Sequence, residues 1–459
     1  MRLDKLEREA QKILEARREL SQRFFYDYGG WSSGTYITYD DLSNDGVSKK
    51  RRTLRLNDTR VWASLNVEDI HNVYVRARVA YNDWLRGDEY RRREDDLNVD
   101  LDQAFYTLDF RNALKTYFDT SMPFRLKLKG GRFRSYIGNG LAYSRLALGL
   151  QLEGRSRYVD FKAIWFRTPH GETNADYSVP GFRTEGQRRF FYGIEISYPG
   201  FNRHTPYFYF LNQKDRTTLE PHDPENLPDD LNQKYHYDSK YIGLGSSGYI
   251  IKNLNYEIEA VREIGRSYAE GSSTVPASRE DISAWALNAE LEKVVEVVTH
   301  PTFRVQYAFG TGDKDRDGVT NTVESGDNTG NKPNTKDRNF LYFGYLDTGT
   351  NLAPKLSNLH MFHLAAEVKP LEFTRNFKET VGLSFDYYFF RKHRKEGGIF
   401  DFRADRRLTN VGREAGVTVT WNILSDLSLF VNYSRFYPGH AFSEKNARDY
   451  VIASLNWQF

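Results

Sequence analysis

The chain has 459 residues, no cysteine, and 65 basic against 62 acidic side chains, a formal charge of +3. Such near-neutrality excludes a dedicated nucleic-acid binder, which carries a basic surplus or stripe. The missing cysteine excludes disulfides, thiolate metal sites and thiol catalysis. Aromatics reach 15% at a mean hydropathy of −0.68, while no stretch supplies the roughly 18–20 apolar residues of a membrane-spanning helix. A β-barrel whose alternate residues meet lipid reconciles these two facts.

Residues 1–23 predict an amphipathic helix. Leu3, Leu6, Ala10, Ile13 and Leu20 recur at helical steps, interrupted by Arg17. The helix is expected to lie against a barrel or its rim, to dock a periplasmic partner, or to plug the lumen. It contains no apolar signal segment, so the outer-membrane reading takes the numbering as that of a mature chain with an added initiator Met. Gly29 and Gly30 punctuate the region that follows.

From 24 to 459 the period becomes two. Strands are predicted near 31–39, 51–64, 72–82, 102–110, 122–130, 145–153, 157–167, 188–198 and 205–212. They continue near 236–247, 254–265, 283–297, 302–310, 361–369, 379–391, 413–422, 426–436 and 449–459. In 73–81 (VYVRARVAY) the apolar residues oppose Arg76 and Arg78; in 124–129 (FRLKLK) they oppose Arg125, Lys127 and Lys129. The total of 18 strands is even, as in single-chain bacterial barrels. Connections alternate between short ones, such as 248–253 and 423–425, and long polar ones, such as 168–187, 213–235 and 311–360. The connection at 111–121 breaks that rhythm, being longer than a tight turn. The final strand, DYVIASLNWQF, ends on an aromatic of its apolar face. The fold class expected is therefore all-β: a closed antiparallel transmembrane barrel of about 18 strands over 24–459, in contact with membrane lipids in a bacterial outer membrane.

Two features carry chemistry. Residues 313–324 read D-K-D-R-D-G-V-T-N-T-V-E, the spacing of a calcium loop. Asp313, Asp315 and Asp317 converge on a hard cation, Gly318 allows the turn, the Val319 carbonyl and Asn321 continue the shell, and Glu324 closes it. A structural Ca2+ stiffening the long loop is the expectation; the plainer reading is a solvated acidic loop.

The second feature is arginine, 43 residues against 22 lysines. By parity Arg76, Arg78, Arg125, Lys127, Lys129 and Arg304 point inward, and Arg132, Arg134 and Arg145 flank a Gly-rich connection able to fold inward. One reading is a lumen that binds a polyanion. The other is a set of ion pairs bracing the interior, because Asp109, Glu195, Glu257, Glu259, Glu290, Glu292 and Asp386 share the inward parity. His360 and His363 fall on opposite faces of a strand, which argues against zinc. No catalytic constellation is recognisable, so an enzyme is not expected.

Two stretches resemble the alginate export family of outer-membrane barrels. Residues 129–165 contain GGRFRSYIGNGLAYSRL and end near VDFKAIW. Residues 307–370 contain YAFGTGDKDRD and NFLYFGYLDTGTNLAPKLSNLHMFHLAAEVKP, with Thr311 where the family pattern has Ser. The resemblance implies an 18-stranded passive conduit with an electropositive constriction, loops gating each mouth, a periplasmic scaffold partner, and substrate contacts at Arg132, Arg134 and Arg145. The function expected is passage of an anionic polysaccharide or small anionic solute. A general porin or nutrient channel, and a binding barrel with a calcium-stiffened loop, are the alternatives.

Overall fold

Strands with one apolar and one polar face are stable only where each face finds its own environment. Here a closed cylinder provides both. The computed structural model describes residues 24–40, 51–86, 88, 95–169, 189–216, 237–269, 278–314, 331–374, 380–401 and 403–459. The expected helix at 1–23 lies outside them, as do Asp315, Asp317, Val319, Asn321 and Glu324 of the calcium-like loop.

The first strands are β1 (Phe24–Asp40), β2 (Arg51–Val67), β3 (His71–Trp84) and β4 (Asp95–Asp109). A short helix, α1 (Phe110–Phe118), precedes β5 (Arg125–Ile137), β6 (Tyr143–Arg155), β7 (Asp160–Arg167), β8 (Arg189–Ser197) and β9 (His204–Asp215). Then come β10 (Asp238–Ile251), β11 (Leu254–Ala269), β12 (Ser278–Val294), β13 (Thr302–Gly310) and β14 (Leu359–Val368). The last are β15 (Val381–Lys392), β16 (Asn410–Asn422), β17 (Leu427–Pro438) and β18 (Arg448–Gln458). Each strand pairs antiparallel with its chain neighbours, and β1 pairs with β18, which closes the sheet.

Exposure follows parity. On β3 the side chains of Val73, Val75, Val79 and Tyr81 are exposed, whereas Arg76 is 2% exposed. The exposed set faces outward and the buried set faces the lumen.

Three strands, β1, β4 and β5, differ most from the sequence reading, each by seven residues at one end. β1 starts seven residues earlier, running through Gly29 and Gly30. Those glycines are not breaks. A Cβ on Gly29 would lie 3.2 Å from the Trp62 ring, and one on Gly30 would lie 2.6 Å from the Phe459 ring. Neighbouring aromatics fill the space, and Gly30 and Phe459 exchange backbone hydrogen bonds of 2.8 and 3.0 Å. β4 also starts seven residues earlier, at Asp95, because the outward alternation of Leu97, Val99 and Leu101 is interleaved with acidic residues. The 111–121 connection contains α1, whose N-cap Asp109 accepts the Asn112 N–H.

The third difference shapes the interior. β5 runs on to Ile137 instead of ending at the glycines. It pairs with β4 only from Asp109↔Lys127 to Ala104↔Arg132. β6 pairs with β7 only from Leu148 onward. Beyond those points Phe133–Ile137 and Tyr143–Ala147 pair with each other and with no neighbouring wall strand. This hairpin leaves the wall and enters the lumen. Gly131 sits at the departure with φ +130, and a Cβ there would lie 2.3 Å from the Ala104 carbonyl.

Contacts along the hairpin trace its path. Phe133 packs on Phe166 of β7, and Tyr143 on Phe191 of β8. The Gly138 N–H donates to Glu195 on β8, and the Asn139 N–H to Glu259 on β11. Residues 331–358 fold inward beside it: Phe343 bridges to Tyr143, and Asp337 to Ile282. The apolar core therefore lies inside the barrel, with Phe133, Tyr143, Phe166, Phe191, Tyr209, Phe340 and Phe343 essentially inaccessible. Each buried ring of this kind contributes about 2 kcal/mol, which offsets the entropy lost in ordering the inserted segments.

Candidate functional site

Among the described residues, no member of the buried core comes from β1–β4. The apolar filling packs against the later strands and reaches this sector only at Phe105 of β4, whose ring meets Phe133 edge-on. Here the inward face carries charge instead. On β3, Arg76 contacts Asp102 at 2.6 Å and Arg78 contacts Asp58 at 2.7 Å. Arg60 on β2 bridges Asp58 and Asp102 at 3.0 and 3.5 Å. Arg60 and Arg76 also lie over the Trp31 ring, 5.6 and 5.2 Å from its centroid.

On β5 the pattern continues. Arg125 contacts Asp109 at 2.9 Å. Lys127 stands opposite Asp109 in the β4–β5 ladder. Lys129 lies 3.8 Å from the centroid of Phe105 and 4.4 Å from that of Phe133. Arg132 donates two hydrogen bonds to Asp100, at 3.1 and 2.6 Å. Because β5 bends into the lumen at Gly131, the face of Arg132 and Arg134 that would otherwise point outward is turned back toward the β4 side of the interior. Arg134 is exposed there. The charges form a ladder in which carboxylates alternate with guanidinium groups and hold them apart.

Two predicted cations stand elsewhere. Arg145 belongs to the inserted hairpin but points into its packed face; it donates to the Phe343 carbonyl at 3.2 Å and lies over that ring. Arg304 lies across the barrel on β13, contacting Glu290 at 3.1 Å and Glu292 at 2.8 Å. The structure thus brings Arg76, Arg78, Arg125, Lys127, Lys129 and Arg132 into one sector and separates Arg145 and Arg304 from it. Asp313 is buried and accepts the Arg338 N–H at 2.7 Å. His360 and His363 do fall on opposite faces: His360 stacks on Phe309, while His363 contacts Asp386 at 3.0 Å.

Two inward carboxylates on later strands have a different use. Glu263, on β11, accepts the Leu341 N–H at 3.0 Å. Glu414, on β16, accepts three consecutive N–H groups, from Thr350, Asn351 and Leu352, at 2.7, 2.9 and 2.9 Å. These acids are not brakes on an arginine lining. They are anchors for the segments that fill the lumen. Sequence parity placed Glu259 among the inward acids but missed Glu263 and Glu414, although both alternate correctly on their strands. At the loop end Asp401 contacts Arg403 and Arg448 at 2.9 and 2.8 Å. Burial pushes its carboxyl up, but the two guanidinium groups outweigh burial and hold it below the usual carboxylate range.

Comparison with known proteins agrees with this architecture. A family model described as "Alginate export" matches residues 37–453. No curated protein matches the sequence. Among solved structures the fold is similar to the outer membrane protein OprD from Pseudomonas aeruginosa, at a TM-score of 0.55 and 12% identity, covering 95% of this chain and 93% of that one. It is similar to OccAB4 from Acinetobacter baumannii at 0.55 and 13%, covering 95% and 99%. Pseudomonas aeruginosa OpdQ matches at 0.51 and 10%, covering 95% and 97%. At these identities the likeness is one of fold.

Proposed function

The chain belongs to the alginate export family, and from that premise we propose that it is a transmembrane channel of the bacterial outer membrane conducting an anionic polysaccharide or related anionic solute. The observation that carries the reading is the one-sided interior. Inserted segments pack against the later strands, and the sector they leave is lined by Arg78, Arg125, Lys127, Lys129 and Arg132, with Arg76 buried behind them against Asp102.

Such a lining suits a conduit. Each cation replaces part of the water around a passing carboxylate, while its own acidic partner keeps the attraction weak enough for release. The outward faces support a membrane location, since Val73, Val75, Val79, Ile194, Phe208 and Leu244 are all exposed on them. Both described chain ends, Phe24 and Phe459, lie at the end of the short connections. With those ends in the periplasm, the long connections lie outside the cell, and a scaffold protein would meet the short ones. No step in this function calls for a catalytic group.

The test is electrical. In planar bilayers the parent should be anion-selective and blocked by uronate oligomers. Arg78→Glu with Arg125→Glu, both accessible from the lumen, should move the reversal potential toward cation selectivity. An unchanged reversal potential would make these arginines braces, and the protein a general channel.

A further inference from the structure

α1 is amphipathic, yet none of its residues is buried. Phe110, Ala113, Leu114, Tyr117 and Phe118 fall on one face by helical spacing. Tyr117 is 53% and Phe118 71% exposed. The cations Arg111 and Lys115 flank that face on one side.

The helix is held to the outer side of the wall. Tyr117 Oη lies 3.1 Å from His71 Nε2, and His71 Nδ1 contacts Tyr106 Oη. The His71 ring stacks on Tyr106 with centroids 5.9 Å apart. His71 and Tyr106 share the outward parity of Val73 and Val75, and Tyr106 is itself 40% exposed. An aromatic row therefore runs without interruption from the lipid-facing wall onto the helix. Glu68 and Asp69 border the row from the β2–β3 turn, the former accepting from Tyr117.

Resting on the channel reading above, we infer that α1 is an interfacial anchor, seated in the headgroup layer of the inner leaflet with its aromatic face toward the acyl chains. The occupant is phospholipid and not protein, because the apolar face continues the surface that already faces lipid. Tyr and Phe suit the boundary layer, and Arg111 and Lys115 suit lipid phosphates beside it. The contact would set the depth of the barrel and brace the β4–β5 turn.

The cysteine-free chain allows a direct test. Single cysteines at Asn112, Leu114, Thr116 and Phe118, each carrying a nitroxide, are introduced into the full barrel in phosphatidylethanolamine–phosphatidylglycerol vesicles. Collision with oxygen reports lipid, and collision with a nickel chelate reports water. Labels at Leu114→Cys and Phe118→Cys should favour oxygen severalfold over those at Asn112→Cys and Thr116→Cys. If all four favour nickel, the helix stands in water and the proposal fails. If all four are shielded from both, the helix is covered by protein and it fails equally. Val75→Cys on the wall is the control: a label there that meets no oxygen overturns the transmembrane reading itself.

Discussion

Replacing Glu414 with alanine should free the 350–352 segment from the lumen while leaving the barrel closed. The carboxylate accepts three backbone N–H groups at 2.7 to 2.9 Å, and Glu414 is 1% exposed. A hydrogen bond to a charged group contributes about 1.5–3 kcal/mol. Part of that sum is returned, because the variant no longer buries a charge. A net loss of about 3–5 kcal/mol follows, confined to the inserted segment. Since about 1.4 kcal/mol is a factor of ten, amides of 350–352 should exchange with solvent on the order of a hundred- to several thousandfold faster. Wall amides of β16 and β17, held by their own ladder, should hardly change. Hydrogen exchange resolved by mass spectrometry measures both. Glu414→Gln, which keeps acceptor oxygen but loses charge, should fall between. If exchange at 350–352 is unchanged in the alanine variant, the carboxylate is not the anchor and the reasoning fails.

Other expectations are more local. Gly131→Val should impair folding of the β4–β5 junction, because a left-handed φ and a carbonyl 2.3 Å from the new Cβ both oppose it; loss of heat-modifiable migration on gels would register this, and parent-like migration would speak against the hinge. His393 is held down to about 4 by burial, by Arg394 and by His360. Its ring stays neutral in the folded loop while the unfolded loop takes up a proton below about 6.5. Stability of the 393–409 connection should therefore fall as pH drops from about 6.5 toward 4, seen as faster exchange there after correction for intrinsic rates. For the calcium motif, Asp315→Ala with Glu324→Ala should abolish any calcium-dependent protection of residues 311–330 from protease; protection equal to the parent's would remove calcium from those side chains.

Much of the wall was legible because a period of two is a strong signal wherever the two faces of a strand differ in polarity. The strand 302–310 coincides with β13 at both ends. Glycine misled at two places for opposite reasons. Gly29 and Gly30 look like a break but continue a strand under the Trp62 and Phe459 rings. Gly130 and Gly131 look like an end, yet the strand turns inward and proceeds. Local sequence cannot tell these cases apart, since the deciding atoms belong to distant strands. The inward side of Arg76, Arg78 and Arg125 followed from parity alone. Their partners Asp102 and Asp58 did not, because pairing depends on register between strands and on the bulge near Asp102. Helix α1 was hidden by its length, nine residues being too few for a clear helical period.

The bond between the two ends of the chain has a consequence for biogenesis. The β1–β18 register runs from Trp31↔Gln458 to Tyr39↔Tyr450, and Phe459 clasps Gly30 beside it. No circle exists until β18 is delivered to β1. Until then the sheet is a ribbon with two adhesive borders, each able to recruit a stray strand. A chain lacking β18 would be left as a ribbon seeking a partner for β1.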